Sequence, residues 1–162
     1  MSTLWRPAYV AIGSNLQSPR ERVLEAMDRM RALSGTSLLR SHLYLSKPMG
    51  PKDQPDFVNA AAGLLTRASP RELLTELLCI ERDMGRNRLE RWGPRVIDLD
   101  LVWMVDAQVN EPGLSVPHPG VSMRNFVLYP LADIAPTIKI PEHGTVLDLK
   151  RSVGGQGISV LE

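Results

Sequence analysis

Val58-Asn59-Ala60-Ala61-Ala62-Gly63-Leu64-Leu65-Thr66-Arg67-Ala68-Ser69-Pro70-Arg71-Glu72 joins an apolar run of strand length to a helix start. Ser69 followed three residues later by Glu72 is a capping box, and Pro70 falls at the first helical position, where its missing N–H and fixed φ do no harm. Behind it Leu73, Leu74, Leu77, Leu78 and Ile80 recur at helical spacing up to a stop at Gly85. The small residues Ala60 to Gly63 let a neighbour pack close to the strand. The same tetrapeptide occurs earlier as Ser18-Pro19-Arg20-Glu21. It follows a short strand, Tyr9 to Ile12, that runs into Gly13-Ser14-Asn15, and it precedes a helix with Val23, Leu24, Met27 and Met30 on one face. Thr36 to Leu45 alternates loosely as a strand. A further strand around Asp98 completes a β-α-β-β-α-β order, an α+β fold with both helices on one face of an antiparallel sheet.

Around this core the segment Ser46 to Phe57, with Pro48, Gly50, Pro51 and Pro55, reads as a shaped loop. Asp106 to Asn110 reads as a hairpin turn, Leu114 to Pro119 as an extended segment fixed by two prolines, and Met123 to Leu131 as a helix. Ile134 to Glu162 is weakly patterned, and its last fifteen residues have no functional reading. At 162 residues the chain fits one domain, 1–162. Nineteen basic residues against eighteen acidic ones give no case for a nucleic-acid coat or an anionic-membrane binder, and the basic character is local. Cys79, the only cysteine, falls inside the second helix and reads as a small buried filler, with no disulfide and no metal. Neither a signal peptide nor a membrane-length apolar run is visible, so a soluble, cytoplasmic protein is expected, and a monomer is expected separately.

Asp98 and Asp100 carry the chemistry. On a strand they share one face, opposite Ile97, Leu99, Leu101 and Trp103. Two ionised carboxylates about 6.5 Å apart repel by about 2.5 kcal/mol at an effective dielectric near 20. An isolated Asp-x-Asp is commonly just a solvated pair. Here Arg82, Arg86, Arg88, Arg91 and Arg95 crowd the approach, and fifteen of the nineteen basic residues are arginine. Guanidiniums hold phosphate oxygens bidentately, and a hard divalent cation such as Mg²⁺ turns the carboxylate repulsion into binding. The combination points to phosphoryl-type transfer.

The chain has neither a P-loop nor a dinucleotide fingerprint, so phosphate handling rests on side chains. His118, between two prolines, has a constrained backbone and reads equally as a carbonyl cap or a phosphate contact. Phe57 and Phe126 are the only phenylalanines. Core filling is one explanation for them; the other is a clamp on a flat heteroaromatic ring whose edge Asn59 reads with a donor and an acceptor. A metal-dependent nucleotidyltransferase also places paired aspartates on a sheet, but it needs a larger basic surface. A non-catalytic pterin or nucleotide binder would not need the pair.

Four blocks resemble the 6-hydroxymethyl-7,8-dihydropterin pyrophosphokinases of folate biosynthesis. They are Tyr9-Val10-Ala11-Ile12-Gly13-Ser14-Asn15-Leu16; Gly50 through Gln54-Pro55-Asp56-Phe57-Val58-Asn59-Ala60-Ala61; Glu81 through Arg91-Trp92-Gly93-Pro94-Arg95-Val96-Ile97-Asp98-Leu99-Asp100; and Val116-Pro117-His118-Pro119 with Arg124-Asn125-Phe126-Val127-Leu128. The resemblance implies a ferredoxin-like core with extra strands and helices, and transfer of the pyrophosphoryl group of ATP to a pterin hydroxyl. It implies two Mg²⁺ ions on Asp98 and Asp100, which with Arg86 and Arg95 form the catalytic set. On the pterin side it implies Phe57, Phe126 and Asn59, with Ser46, Met49 and Trp92 at neighbouring positions. For ATP it implies Glu81, Arg88, Arg91, Arg95, Leu101, Ser115, His118 and Arg124. Small-molecule substrates follow as the only partners. The chain departs from the family pattern at Lys47, where Pro is common, and at Gly113 and Gly120, where some members carry Arg. The stretch from Arg88 to Trp92 is one residue shorter than in a familiar member.

Overall fold

The computed structural model describes residues 4–50, 53–85 and 94–162. The chain runs through β1 (Arg6–Ser14), α1 (Pro19–Met30), β2 (Leu39–Arg40), β3 (Tyr44–Ser46), β4 (Phe57–Thr66), α2 (Pro70–Asp83) and β5 (Asp98–Met104). Then come β6 (Val109–Glu111), β7 (Leu114–Val116), α3 (Asn125–Ile134), β8 (Lys139–Ile140), β9 (Gly144–Thr145), α4 (Val146–Val153) and β10 (Ile158–Val160).

Among the described residues the main sheet has six strands, in the order β10-β3-β4-β1-β5, with β2 also paired to β4. All its neighbouring strands are antiparallel. The order β5-β1-β4-β3 is fourth, first, third, second along the chain, as the β-α-β-β-α-β reading requires. Each helix buries one stripe on the sheet: Val23, Ala26, Met27 and Met30 from α1, and Leu73, Leu77 and Ile80 from α2. The two helices pack beside each other, while α3 lies against β4, β1 and β3 and carries α4. No helix among the described residues is long and apolar enough to cross a membrane.

Several local expectations need correction. Ser69 forms the capping box, with the Glu72 N–H donating to its Oγ at 3.1 Å and its own N–H donating to Glu72 Oε1 at 3.1 Å. Ser18 does not. Gln17 and Ser18 both have positive φ, 56° and 63°, and Ser18 makes no side-chain cap bond. A capping side chain needs extended backbone at that residue, and the left-handed turn aims the hydroxyl elsewhere. On α2, Leu78 is 40% exposed and Cys79 is only partly covered, so the buried stripe is narrower than the leucine pattern implied. The expected strand at 36–45 is two short pieces. The hairpin turn lies at Pro112-Gly113, between β6 and β7, where Gly113 supplies φ 77°; the turn at Asp106 only ends β5. The helix expected from Met123 begins at Asn125, after a 3₁₀ turn at Val121–Met123.

Trp103 also changes sides. The β1–β5 register pairs Tyr9 with Trp103 and Val10 with Leu101, so Val102 is the extra residue of a bulge. Leu99 and Leu101 therefore share the face of Val10 and Ile12, while Trp103 joins that of Tyr9.

Candidate active site

Small residues make the floor. Ala11 pairs with Asp100, and Gly13 pairs with Asp98 on one side and Asn59 on the other. Asp98, Gly13 and Asn59 thus form a row across three strands, with the outer two roughly 10 Å apart at the usual strand spacing. Any Cβ at Gly13 would lie 3.5 Å from Asn59 Oδ1 and 3.7 Å from the Phe57 ring, filling the space between the two ends of the row. Over this floor is a pocket of about 400 Å³, of a size suited to a small-molecule substrate. Ser46, Lys47, Met49, Phe57 and Asn59 line one end; Arg95, Asp98, Asp100, His118 and Arg124 line the other, and Phe126 comes down from the first turn of α3.

The apolar end is a slot with a polar rear wall. Asn59 is 4% exposed and its Nδ2 donates to Ser46 Oγ at 2.7 Å, which fixes the amide and leaves Oδ1 on the Gly13 side. Phe57 and Phe126 are both only partly buried and line the pocket, and Phe126 also packs against the core. Met49 is 55% exposed at the rim, where Lys47 pairs with Asp56 at 3.3 Å.

The charged end is held from behind. Arg95 Nη1 lies 3.7 Å from Asp98 Oδ1. Its backbone is fixed by Asn15: the Arg95 N–H donates to Asn15 Oδ1 at 2.8 Å, and the Asn15 N–H donates to the Arg95 carbonyl at 3.0 Å. Asn15 Nδ2 also donates to Gln54 Oε1 and the Pro55 carbonyl, each at 2.9 Å, and Ser14 Oγ donates to the Val96 carbonyl. The sequence reading assigned Ser14 and Asn15 no role. Their only signal in the sequence is a polar pair at the end of an apolar strand; the structure buries both, at 0% and 2% exposure. Arg124 sits with its guanidinium 6.0 Å from the Phe126 ring centre.

His118 is anchored by its N–H to the carbonyl of Val102, the bulge residue, at 2.8 Å. Its Nδ1 accepts the Gly120 N–H at 3.1 Å, so in the neutral ring the proton is on Nε2. Burial pushes its pKa below the usual histidine value; Arg124 adds to this and Asp98 opposes it. The ring is therefore a neutral hydrogen-bonding group at physiological pH.

Three residues of the expected nucleotide set do not line this pocket. Glu81 is 2% exposed, and its Oε2 accepts the Leu99 N–H at 2.7 Å, bracing β5 between its two aspartates. Leu101 is buried on the helix-covered face. Ser115 lines an adjoining groove of about 350 Å³, together with His118, Pro119 and His143. Arg86, Arg88, Arg91 and Trp92 lie outside the described residues.

This geometry coincides with sequence kinship. A protein from Pseudomonas aeruginosa named 2-amino-4-hydroxy-6-hydroxymethyldihydropteridine pyrophosphokinase is 45% identical over 94% of this chain and 95% of its own length. One of the same name from Haemophilus influenzae is 43% identical over 88% and 89%. Among solved structures, the Plasmodium falciparum HPPK-DHPS triple mutant with pteroate superposes with a TM-score of 0.73 over 97% of this chain at 13% identity, which speaks for the fold alone; the chain spans 47% of that protein. Residues 9–136, which contain the floor, both aromatic walls and the carboxylate pair, match the family described as 7,8-dihydro-6-hydroxymethylpterin-pyrophosphokinase (HPPK), and the chain belongs to that family.

Proposed function

We propose that this pocket is where the chain transfers the pyrophosphoryl group of ATP to the hydroxyl of 6-hydroxymethyl-7,8-dihydropterin, a step of folate biosynthesis. The observation that carries the assignment is the row Asp98–Gly13–Asn59, which puts a ring-reading amide and a phosphate-side carboxylate on one floor with an open glycine between them. The pterin would lie between Phe57 and Phe126, with Asn59 Oδ1 accepting from a ring-edge N–H. Its hydroxyl oxygen would then attack the β-phosphorus in line. The bond from that phosphorus to the oxygen bridging it to the α-phosphate breaks, AMP leaves with that oxygen, and the hydroxyl proton passes to water.

Asp98 and Asp100 fit Mg²⁺. Both are part-exposed on one face of the pocket and present only hard oxygen donors. No group of three or more His, Cys, Asp or Glu that could hold a metal occurs among the described residues. The remaining ligands would be water and phosphate oxygens, as is usual for Mg²⁺, and the family resemblance implies two ions. When bound, the ions neutralise phosphate charge. The protein's own share is positioning. Arg95, held by Asn15, places a cation beside Asp98; Arg124 supplies a second; His118 offers Nε2–H. Arg86, Arg88, Arg91 and Trp92 complete the proposed substrate contacts. ATP as co-substrate supports a cytoplasmic protein.

The test is to incubate the protein with MgATP, with and without 6-hydroxymethyl-7,8-dihydropterin, and follow AMP. AMP formed only when pterin is present is expected. Pyrophosphate release, or no nucleotide turnover alongside tight pterin binding, would refute the assignment.

A further inference from the structure

Gly154-Gly155-Gln156-Gly157 lies in the weakly patterned tail, yet each of its glycines answers a local demand. Gly154 and Gly157 have φ of 76° and 72°, which side-chain-bearing residues rarely adopt. A Cβ on Gly155 would stand 2.8 Å from Tyr129 Oη on α3, inside any allowed contact. The turn is also tied at both ends. Asn125 Nδ2 donates to the Gly154 carbonyl at 3.2 Å and the Gln156 carbonyl at 2.8 Å. Both acceptors are carbonyls that cannot donate, so the amide has one orientation available. At the other end the Lys47 N–H donates to the Gly157 carbonyl at 3.2 Å, and β10 then pairs Ile158 with Ser46 on β3.

These ties join the two walls of the pocket. Asn125 lies between Arg124 and Phe126 at the start of α3 and is not itself a lining residue. Ser46 lines the opposite wall and pairs in register with Phe57. The route from Phe126 through Asn125, the glycine turn, β10 and β3 to Phe57 is continuous. Arg124 has separate support, since its guanidinium folds back over Gly120.

We propose that Asn125 is a positioning residue for the pterin: by holding the Gly154–Gly157 turn against α3, it sets the gap between the Phe126 wall and the Ser46–Phe57 wall. This rests on the reading of Phe57, Phe126 and Asn59 as the pterin slot. Asn125 neither touches substrate nor takes part in the transfer.

The experiment uses the full chain and AMP formation, with each substrate varied while the other is saturating, alongside thermal melts. Asn125→Asp keeps the shape but replaces the donor with a carboxylate facing two carbonyls. Gly155→Ala disturbs the same turn independently, through Tyr129. Both variants should raise KM for hydroxymethyldihydropterin about tenfold, the scale of losing one or two hydrogen bonds, while kcat and KM for ATP stay within about twofold. Phe126→Ala, run in parallel, reports on the slot itself. If Phe126→Ala raises the pterin KM and neither turn variant does, the positioning role is overturned with the slot intact. If Phe126→Ala leaves it unchanged, the slot reading falls and takes this inference with it. A lowered melting temperature with unchanged kinetics, or a joint rise of both KM values with a fall in kcat, would make the turn merely structural and overturn the proposal. Should Asn125→Asp not fold, Gly155→Ala decides between the same outcomes.

Discussion

The two faces of the central sheet are built from alternate residues of the same strands, and they have opposite chemistry. Toward α1 and α2 stand Val10, Ile12, Leu99 and Leu101, none more than 4% exposed. Toward the pocket stand Ala11, Gly13, Asp98 and Asp100, small or charged and mostly part-exposed. Area buried on the first face holds the fold, while the second, partly covered by α3, is left open at the pocket around two like-charged carboxylates. Neighbouring substitutions on β5 should therefore fail in different ways. The largest separation is expected at Asp100→Asn. Turnover should drop by several orders of magnitude through loss of metal, with a melting temperature equal to or above that of the parent because one of the two like charges is gone. AMP formation near the parent rate at ordinary Mg²⁺ concentrations would break the comparison.

One residue away, Leu99→Ala should do the reverse. Removing a buried leucine side chain costs about 3 kcal/mol, on the order of a 10 °C fall in melting temperature at this chain length. Turnover per folded molecule, measured well below the new transition, should stay within about tenfold of the parent. A collapse comparable to that of Asp100→Asn would mean that the two faces are not separable. Smaller effects belong to the slot. Phe57→Ala should weaken pterin binding by about 1 to 3 kcal/mol, by analogy with stacking on other flat bases, and leave ATP affinity largely intact. Titration with pterin alone and with a non-hydrolysable ATP analogue alone would show it. Normal pterin affinity with a lowered melting temperature would return Phe57 to the core.

How far the sequence could be read follows the same division. The β-α-β-β-α-β order was legible because helix and strand periods are local, and the Asp98/Asp100 pair because charge inside an apolar strand contradicts burial. Trp103 was placed on the wrong face because the bulge at Val102 arises from pairing with β1, and no local residue signals it. β10 was missed for a related reason: it is three residues long and exists through its partner β3, more than a hundred residues earlier. Glu81 gives no hint in the sequence that its carboxylate turns inward to the Leu99 amide. Ser14 and Asn15 look like ordinary turn residues until their side chains are seen holding Val96, Arg95 and Gln54 in place. Local pattern reveals elements and unusual charges, whereas long-range pairing of polar groups decides how the site is held.

The smallest expected effect tests that lesson on the helix-covered side alone. Ser18-Pro19-Arg20-Glu21 and Ser69-Pro70-Arg71-Glu72 are identical in sequence, and both open helices that cover the same face. Only Ser69 has extended backbone, with φ −71° and ψ 162°, and only its hydroxyl accepts the N–H of the third helical residue. Ser69→Ala should cost about 1 kcal/mol, seen as a shift in the denaturant midpoint at constant slope. Ser18→Ala should be near neutral, because Ser18 accepts no capping bond and its φ of 63° is set by the turn from Gln17. Ser18→Gly goes further: glycine adopts that φ without strain, so the change should be neutral or slightly stabilising. None of these three variants should alter the KM for either substrate, since both helix starts lie on the far side of the sheet from the carboxylate pocket. Equal losses at Ser18 and Ser69 would show that the shared tetrapeptide, and not the backbone it is folded into, determines the cap.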